Sequence, residues 1–547
     1  MSKTRAIGGC AALRMKGVAL SIALLGCSST ATALELTAPD SELKMRWDNT
    51  VKYSTAYRLD NPSERVAAGD PGGPGTELDD GDRNFDRGVI NSRFDLLSEL
   101  DVVYKQVGLR ISGAAWYDDV YRRGNDNRSL SVNSRSVPAG EFTEKTRDMM
   151  GRKAEILDAF VFMNSDPTAE VPFTVRAGQH SVLYGESLFF GSNGIANAQA
   201  PIDVIKALSV PGSQFKEIIR PVGQVSTQVQ LTPQMSIGAY YQYEWEKSRL
   251  PASGSYFSNA DFVGAGAESL LGMAYAGEEK PDSDQFGLQM RFKPGNGDVE
   301  YGVYFAQYND KTPQVIIDPV NGRYGFVYAE KIKTVGASFS TVLGEANVAG
   351  EVSYRWDAPL VSGPQVDIGL SSDGLRNPLF ALGKTAHAQI STLYLFGGNP
   401  VWDGAELLGE LAWNRVLSVD ENPLARDANT TRDAMAFRML FTPQYFQVLP
   451  GLDISIPIGF GYNLDGNSSA VGAFNGGARQ GGDFSIGLKG EYQRKWKFGI
   501  NYTRYFGDEN ALLTANTKDP RKGPFMSTAA QSLHDRDFVS LSVQTTF

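Results

Sequence analysis

The chain's clearest signal is a period of two. In its last eleven residues, Val539, Leu541, Val543, Thr545 and Phe547 fall on one side. Phe538, Ser540, Ser542, Gln544 and Thr546 fall on the other. Successive side chains of an extended strand point to opposite faces, so this is a strand with one apolar and one polar wall. The first such stretch is longer and sharper. Trp47, Val51, Tyr53, Tyr57 and Leu59 share a face with Asn49 and Thr55, while Lys44, Arg46, Asp48, Lys52 and Arg58 take the opposite one. A soluble sandwich rarely sets so many charges against so many aromatics along one strand; a wall between lipid and water does so naturally.

The same alternation predicts strands near 45–59, 92–104, 108–118, 153–164, 172–180, 221–232, 234–246, 283–293 and 298–309. It continues near 329–343, 346–357, 385–396, 404–418, 432–447, 452–464, 483–492, 496–507 and 536–547. That makes eighteen, an even number. Connections alternate between tight turns (Lys105-Gln106-Val107, Gly344-Glu345, Gln493-Arg494-Lys495) and long loops such as 60–88, 120–152, 181–220 and 247–282. The expected fold is all-β: a transmembrane antiparallel barrel of about eighteen strands, with short periplasmic turns, long outer loops and both termini periplasmic.

Composition adds an address. Lys3, Arg5, Arg14 and Lys16 precede the apolar run Gly17–Leu25, which is too short to span a bilayer and leads to Ala31-Thr32-Ala33. Residues 1–33 therefore read as a cleaved signal peptide, and 34–547 as one barrel. Leu24-Leu25-Gly26-Cys27 offers the alternative of a lipidated Cys27. Both cysteines lie in the leader, so the expected mature chain has neither disulfide nor thiol. Without the four leader cations, 48 Lys and Arg face 62 Asp and Glu, a balance opposed to nucleic-acid binding.

Two loops attract notice. In 181–220, Glu186, Phe189 and Phe190 precede a predicted short helix begun by Pro201, with Asp203 and Lys206 on it and Ile202, Ile205 and Leu208 along one face. This segment is the candidate constriction, against the plainer reading of an ordinary surface loop. The loop 250–280 holds Phe262 to Tyr275, too apolar for full solvation; it either packs on its neighbours or receives an apolar solute.

Inward-facing charges are the selectivity candidates: Arg46, Lys52, Arg58, Arg93, Asp95, Glu99, Asp101, Arg110, Arg291, Lys293, Glu351 and Arg355. The competing expectation is that they pair and fill the interior. Asp80, Asp82, Asn84 and Asp86 repeat an oxygen at every second position, a weak calcium-like spacing; Phe85 stands where a calcium loop needs glycine. The histidines, His180, His387 and His534, lie on different segments, and Ser181 points away from its neighbour His180. Neither an enzyme nor a cofactor is expected.

Asp80-Gly81-Asp82-Arg83-Asn84-Phe85, Arg93–Leu100, Gly113–Asp118, Arg176-Ala177-Gly178-Gln179, Gly350–Arg355 and the terminal strand carry a resemblance. Together they make the chain similar to a family of Gram-negative outer-membrane β-barrels catalogued as a domain of unknown function. Tyr184 stands where that family's pattern has Trp. The resemblance implies residence among outer-membrane lipid and lipopolysaccharide, and insertion by the barrel-insertion machinery, for which Phe547 would be part of the signal. Its members are often encoded beside a periplasmic lipid-binding-like protein and inner-membrane exporters. This implies traffic in hydrophobic small-molecule solutes through a channel, or else a non-conducting anchor for an export complex.

Overall fold

The computed structural model describes residues 34–35, 41–71, 73–74, 78–129, 133–210, 212–295, 297–369 and 378–547. The expected leader, its two cysteines and parts of the long loops lie outside them. Eighteen staves run in chain order: β1 Leu43–Arg58, β2 Val89–Tyr104, β3 Val107–Asp118, β4 Arg152–Asn164, β5 Phe173–His180 and β6 Val222–Thr232. Then come β7 Met235–Gln242, β8 Gln285–Phe292, β9 Glu300–Tyr308, β10 Ile332–Leu343, β11 Ala346–Pro359 and β12 Leu382–Phe396. The last six are β13 Gly404–Glu421, β14 Asp433–Leu449, β15 (Leu452–Ser455 and Ile458–Asp465), β16 Gly482–Tyr492, β17 Trp496–Phe506 and β18 Phe538–Thr546.

Each stave pairs antiparallel with the next. β18 closes on β1, from Thr50 opposite Thr546 to Arg58 opposite Phe538. Asn49 and Phe547 extend the seam by exchanging backbone hydrogen bonds of 2.8 and 2.9 Å. Closure leaves no unpaired edge, which a sheet in lipid requires. β15 is broken at Ile456-Pro457 because proline has no N–H to give the ladder.

The apolar sides of the staves form the outer surface: Trp47, Tyr53, Phe94, Leu288, Val352, Ile390, Leu541 and Val543 are all exposed. Their polar neighbours face inward. Among the described residues no helix is long and apolar enough to cross a membrane; the crossing is made by strands.

The loops gather at one end, the short turns at the other. At the loop end, Phe85, Tyr121, Phe142, Tyr256, Phe257, Tyr505 and Phe538 form an aromatic core drawn from three long loops and two strands. The segment 250–280 packs into this cap through Ala252, Tyr256, Phe257, Phe262 and Leu270, all buried. Ser269–Leu270, Met273–Glu278, Gln314–Asp318, Arg323–Val327 and Gln365–Val366 build a second, five-stranded sheet over the loop end. Its strands are too short, and too far apart in sequence, for alternation to announce them.

Candidate functional site

The segment 181–221 turns into the barrel, and the inward face of the wall is built to hold it. On β11, Glu351 accepts hydrogen bonds from the backbone N–H of Glu186 (2.7 Å) and Ile195 (2.9 Å). It accepts two more from Ser187 Oγ (3.0 Å) and Gln389 Nε2 (3.0 Å). On β13, Glu410 accepts from three successive N–H groups, those of Leu188 (3.2 Å), Phe189 (2.5 Å) and Phe190 (2.8 Å). Arg355 supplies the opposite charge, donating from Nη2 to the carbonyls of Ser192, Asn193 and Gly194 (3.2, 2.8 and 2.8 Å). His387 and Asn414 both meet Asn193 Oδ1 at 3.1 Å. Arg291 reaches Glu186 Oε1 at 2.9 Å.

Local sequence makes the fit. Gly185 has φ +92°, and a Cβ there or at Gly194 would collide with the Glu351 carboxylate. Gly336 on β10 leaves room for Ile195. Ala412, Ala434 and Ala436 make a recess for Phe190, which also meets Phe474 with ring centroids 5.5 Å apart. Tyr184 packs with Tyr240, Tyr304 and Ile195. Beyond this plug the chain forms a helix, Val204–Ser209. Its N-cap is Asp203, whose carboxylate accepts from the N–H of Lys206 at 3.0 Å. Pro201 thus stands outside the helix that sequence assigned it to begin: the side-chain cap sets the start.

The plug fills the side of the barrel lined by β8–β14. What remains is a cavity of about 1770 Å³ between the Val204–Ser209 region and the wall of β1–β5 and β14–β18. Of the charges expected to face the lumen, Lys52, Arg93, Asp95, Asp101 and Arg110 border this space, as do Asp203 and Lys206 from the inward segment. Most are paired. Arg93 meets Asp95 at 2.6 Å, Arg110 meets Glu99 (2.5 Å) and Asp101 (3.1 Å), and Arg249 meets Asp203 at 2.9 Å.

The other expected lumen charges do different work. Arg291, Glu351 and Arg355 hold the plug, and Phe189 and Phe190 fill rather than line the opening. Lys293 lies just past β8 at the turn end, exposed. Arg46 is largely exposed and pairs with Asp48 at 2.7 Å.

Arg58 departs furthest from expectation. It is fully buried at the loop end, not in the lumen, and meets Asp82 at 2.5 Å and Asp535 at 3.0 Å. Arg536, also fully buried, binds Asp79 and lies 3.7 Å from Asp82. The Asp80–Arg83 helical turn is pressed against Ser255 and Ser258, leaving no space for a Cβ at Gly81. That explains the Asp-Gly-Asp spacing without an ion. Asp82 turns to the arginines, Asn84 donates to the Gly254 carbonyl (2.8 Å), and Asp86 is exposed. Among the described residues no three metal-binding side chains converge. Burial raises the Asp80 carboxyl to about 7, with Asp261 adding repulsion, and the Asp535 carboxyl to about 6.

Alternation alone exposes the missed holders Glu410 and Gln389, since both lie on the inward side of their staves. Their roles depend on a loop whose path the pattern does not give. A second omission is a histidine–serine contact across β5 and β6, His180 Nε2 to Ser226 Oγ at 2.7 Å, with Nδ1 facing the Gly178 carbonyl at 3.0 Å. A carbonyl in that place supplies none of the carboxylate charge that supports an imidazolium.

No curated protein matches the chain. Solved structures similar to it include Acinetobacter baumannii OccAB4 (8% identity, 92% of this chain and 98% of that one, TM-score 0.41). Pseudomonas aeruginosa OpdK crystallised with vanillate is another (9%, 92% and 98%, 0.41). The outer membrane channel DcaP of Acinetobacter baumannii is a third (10%, 92% and 97%, 0.36). Residues 14–547 match the family described as "Protein of unknown function (DUF1302)", and the chain belongs to that family.

Proposed function

We propose that this protein is an outer-membrane channel for diffusion or gated uptake of small hydrophobic or amphiphilic compounds. In this reading the short turns are periplasmic, the long loops face outward, and residues 1–33 are a cleaved leader. The observation that carries it is the off-centre cavity left beside the plug. Its lining is mixed, with Trp116, Ile205, Tyr256, Phe257, Leu440 and Phe538 among the charged and hydroxyl side chains. An amphiphile finds both kinds of surface there. The cap and plug supply the elements a gate needs.

Planar-bilayer recording of the purified protein tests the reading. Folding is confirmed by heat-modifiable gel migration. Discrete current steps are expected. A folded barrel that passes no current would sink the channel and favour the non-conducting anchor, which should then co-purify with a periplasmic lipid-binding-like protein.

A further inference from the structure

The charges lining the cavity nearly balance, so its preference depends on which of them are already neutralised. Asp95, Asp101, Glu155, Asp158 and Asp203 each have an arginine within ion-pair distance. Glu491 has Lys497 at 3.6 Å, while Asp118, Glu217 and Asp453 are met by backbone N–H groups. Among the lining lysines Lys216, on the inward segment, is in no ion pair with the described residues, and three others are set towards one another. Lys52 on β1, Lys206 on the inward helix and Lys489 on β16 all line the cavity, and among the described residues none is in an ion pair. Lys206 Nζ donates only to the Glu217 carbonyl, at 2.6 Å. Lys489 stands in register, through Gly499 and Ser542, with Ser54, two residues from Lys52, and Lys206 lines the same cavity from the plug. The three therefore face one region of the lumen from two sides of the wall and from the plug. Asp95 opposes them, but Arg93 shares it.

The wall between Lys52 and Lys489 is cut low. Ser54, Ser540, Ser542 and Gly499 line it, and these short side chains leave the space in front of the lysines open. On the loop side of this point lie Ile205, Tyr256, Phe257 and Phe538. An acidic surplus exists as well, where Arg110 alone serves Glu99, Asp101 and Asp158. It is a separate level: Glu99 and Asp101 pair in register with Asp48 and Arg46, four and six residues below Lys52, about 13 and about 20 Å along the strand towards the turn end.

Resting on the channel reading above, we infer that Lys52, Lys206 and Lys489 form an anion-selecting constriction. It takes the carboxylate of a monoanionic amphiphile whose apolar part lies against Ile205, Tyr256 and Phe257. Three unneutralised cations around a narrow aqueous passage favour an anion in transit and repel its cationic counterpart.

The test is the reversal potential of the full barrel in planar bilayers under a KCl gradient, together with block by octanoate and by octyltrimethylammonium. The wild type is expected to favour chloride and to be blocked by octanoate at lower concentration than by the cation. Each of Lys52→Gln, Lys206→Gln and Lys489→Gln should lower the chloride-to-potassium permeability ratio about threefold at about 0.1 M KCl, where one charge about 7 Å away, half screened, draws the anion and repels the cation. Lys206 lies on the inward segment, so K206Q tests the idea without touching the wall. An open channel that prefers potassium, or whose ratio is unmoved by all three changes, overturns the inference and leaves the channel standing. A folded barrel without current overturns both.

Discussion

Removing the Glu351 carboxylate should unseat the plug while leaving the barrel closed. Glu351 accepts four hydrogen bonds, two of them from backbone N–H groups of the inward segment. Three of the four reach the plug, the fourth coming from Gln389 on the wall. Bonds to a charged acceptor contribute about 1.5 kcal/mol each, so Glu351→Ala forfeits about 4.5 kcal/mol of tether before relaxation. If water entering the gap restores half, about 2.2 kcal/mol remains, roughly a fortyfold shift from seated to unseated plug. Glu410→Ala adds the loss of three N–H partners, and the double variant should leave the segment largely free. Neither carboxylate pairs with its neighbouring stave's backbone, so the ladder of β11 and β13 stays intact. The assay is single-channel conductance, read beside the rate at which added protease cuts within 184–199. Both should rise for Glu351→Ala and rise further for the double variant, while Glu351→Gln, which keeps one acceptor oxygen, falls between. A folded double variant with wild-type conductance and wild-type protection would refute the idea that these carboxylates hold the plug.

Other outcomes follow from the cap and the seam. Gly185→Ala drives a Cβ into the Glu351 carboxylate at a backbone φ of +92°, and should raise conductance in the same direction as the carboxylate variants. Arg58→Met leaves buried Asp535 without its ion-pair partner and Asp82 with Arg536 alone, at 3.7 Å, a loss of about 3 kcal/mol, seen as faster proteolysis of the loop end without change in the barrel's heat-modified mobility. Asp80 and Asp535 have folded pKa values raised by burial, to about 7 and about 6, so the folded cap binds protons that the unfolded loops release. Cap stability should therefore rise as pH falls from about 8 through these values, and level off near the unfolded carboxylate range; hydrogen exchange at the loop end, slower at pH 5.5 than at pH 8 after correction for intrinsic rates, is the reading to make. Deleting Phe547 removes its backbone exchange with Asn49 and should lower surface yield; a normal yield would argue against an insertion role.

The staves were legible because a wall between lipid and water must alternate, and all eighteen segments fall where the alternation places them. The seam between Phe538–Thr546 and β1 followed from the same rule. The interior was harder. Alternation says that Glu351, Arg355 and Arg58 face inward, but not whether an inward group meets water, a loop or a cap. Arg58 differs from Lys52 only by lying six residues nearer the loop end, where aspartates from two loops close over it. The three unpaired lysines were hidden for a related reason. Lys206 comes from a loop and Lys489 from a stave far along the chain, so nothing in sequence spacing joins them to Lys52.

The plug also precedes its fastenings. Glu351 follows Glu186 by 165 residues, and Glu410 follows Leu188 by 222. When the sheet grows from its first staves, residues 184–199 wait unfastened until β11 and β13 are in place; when it grows from its last, Glu351 and Glu410 face inward unmet until the segment after β5 arrives. In both orders the bore is unobstructed for part of its making, and a chain stalled there would leak.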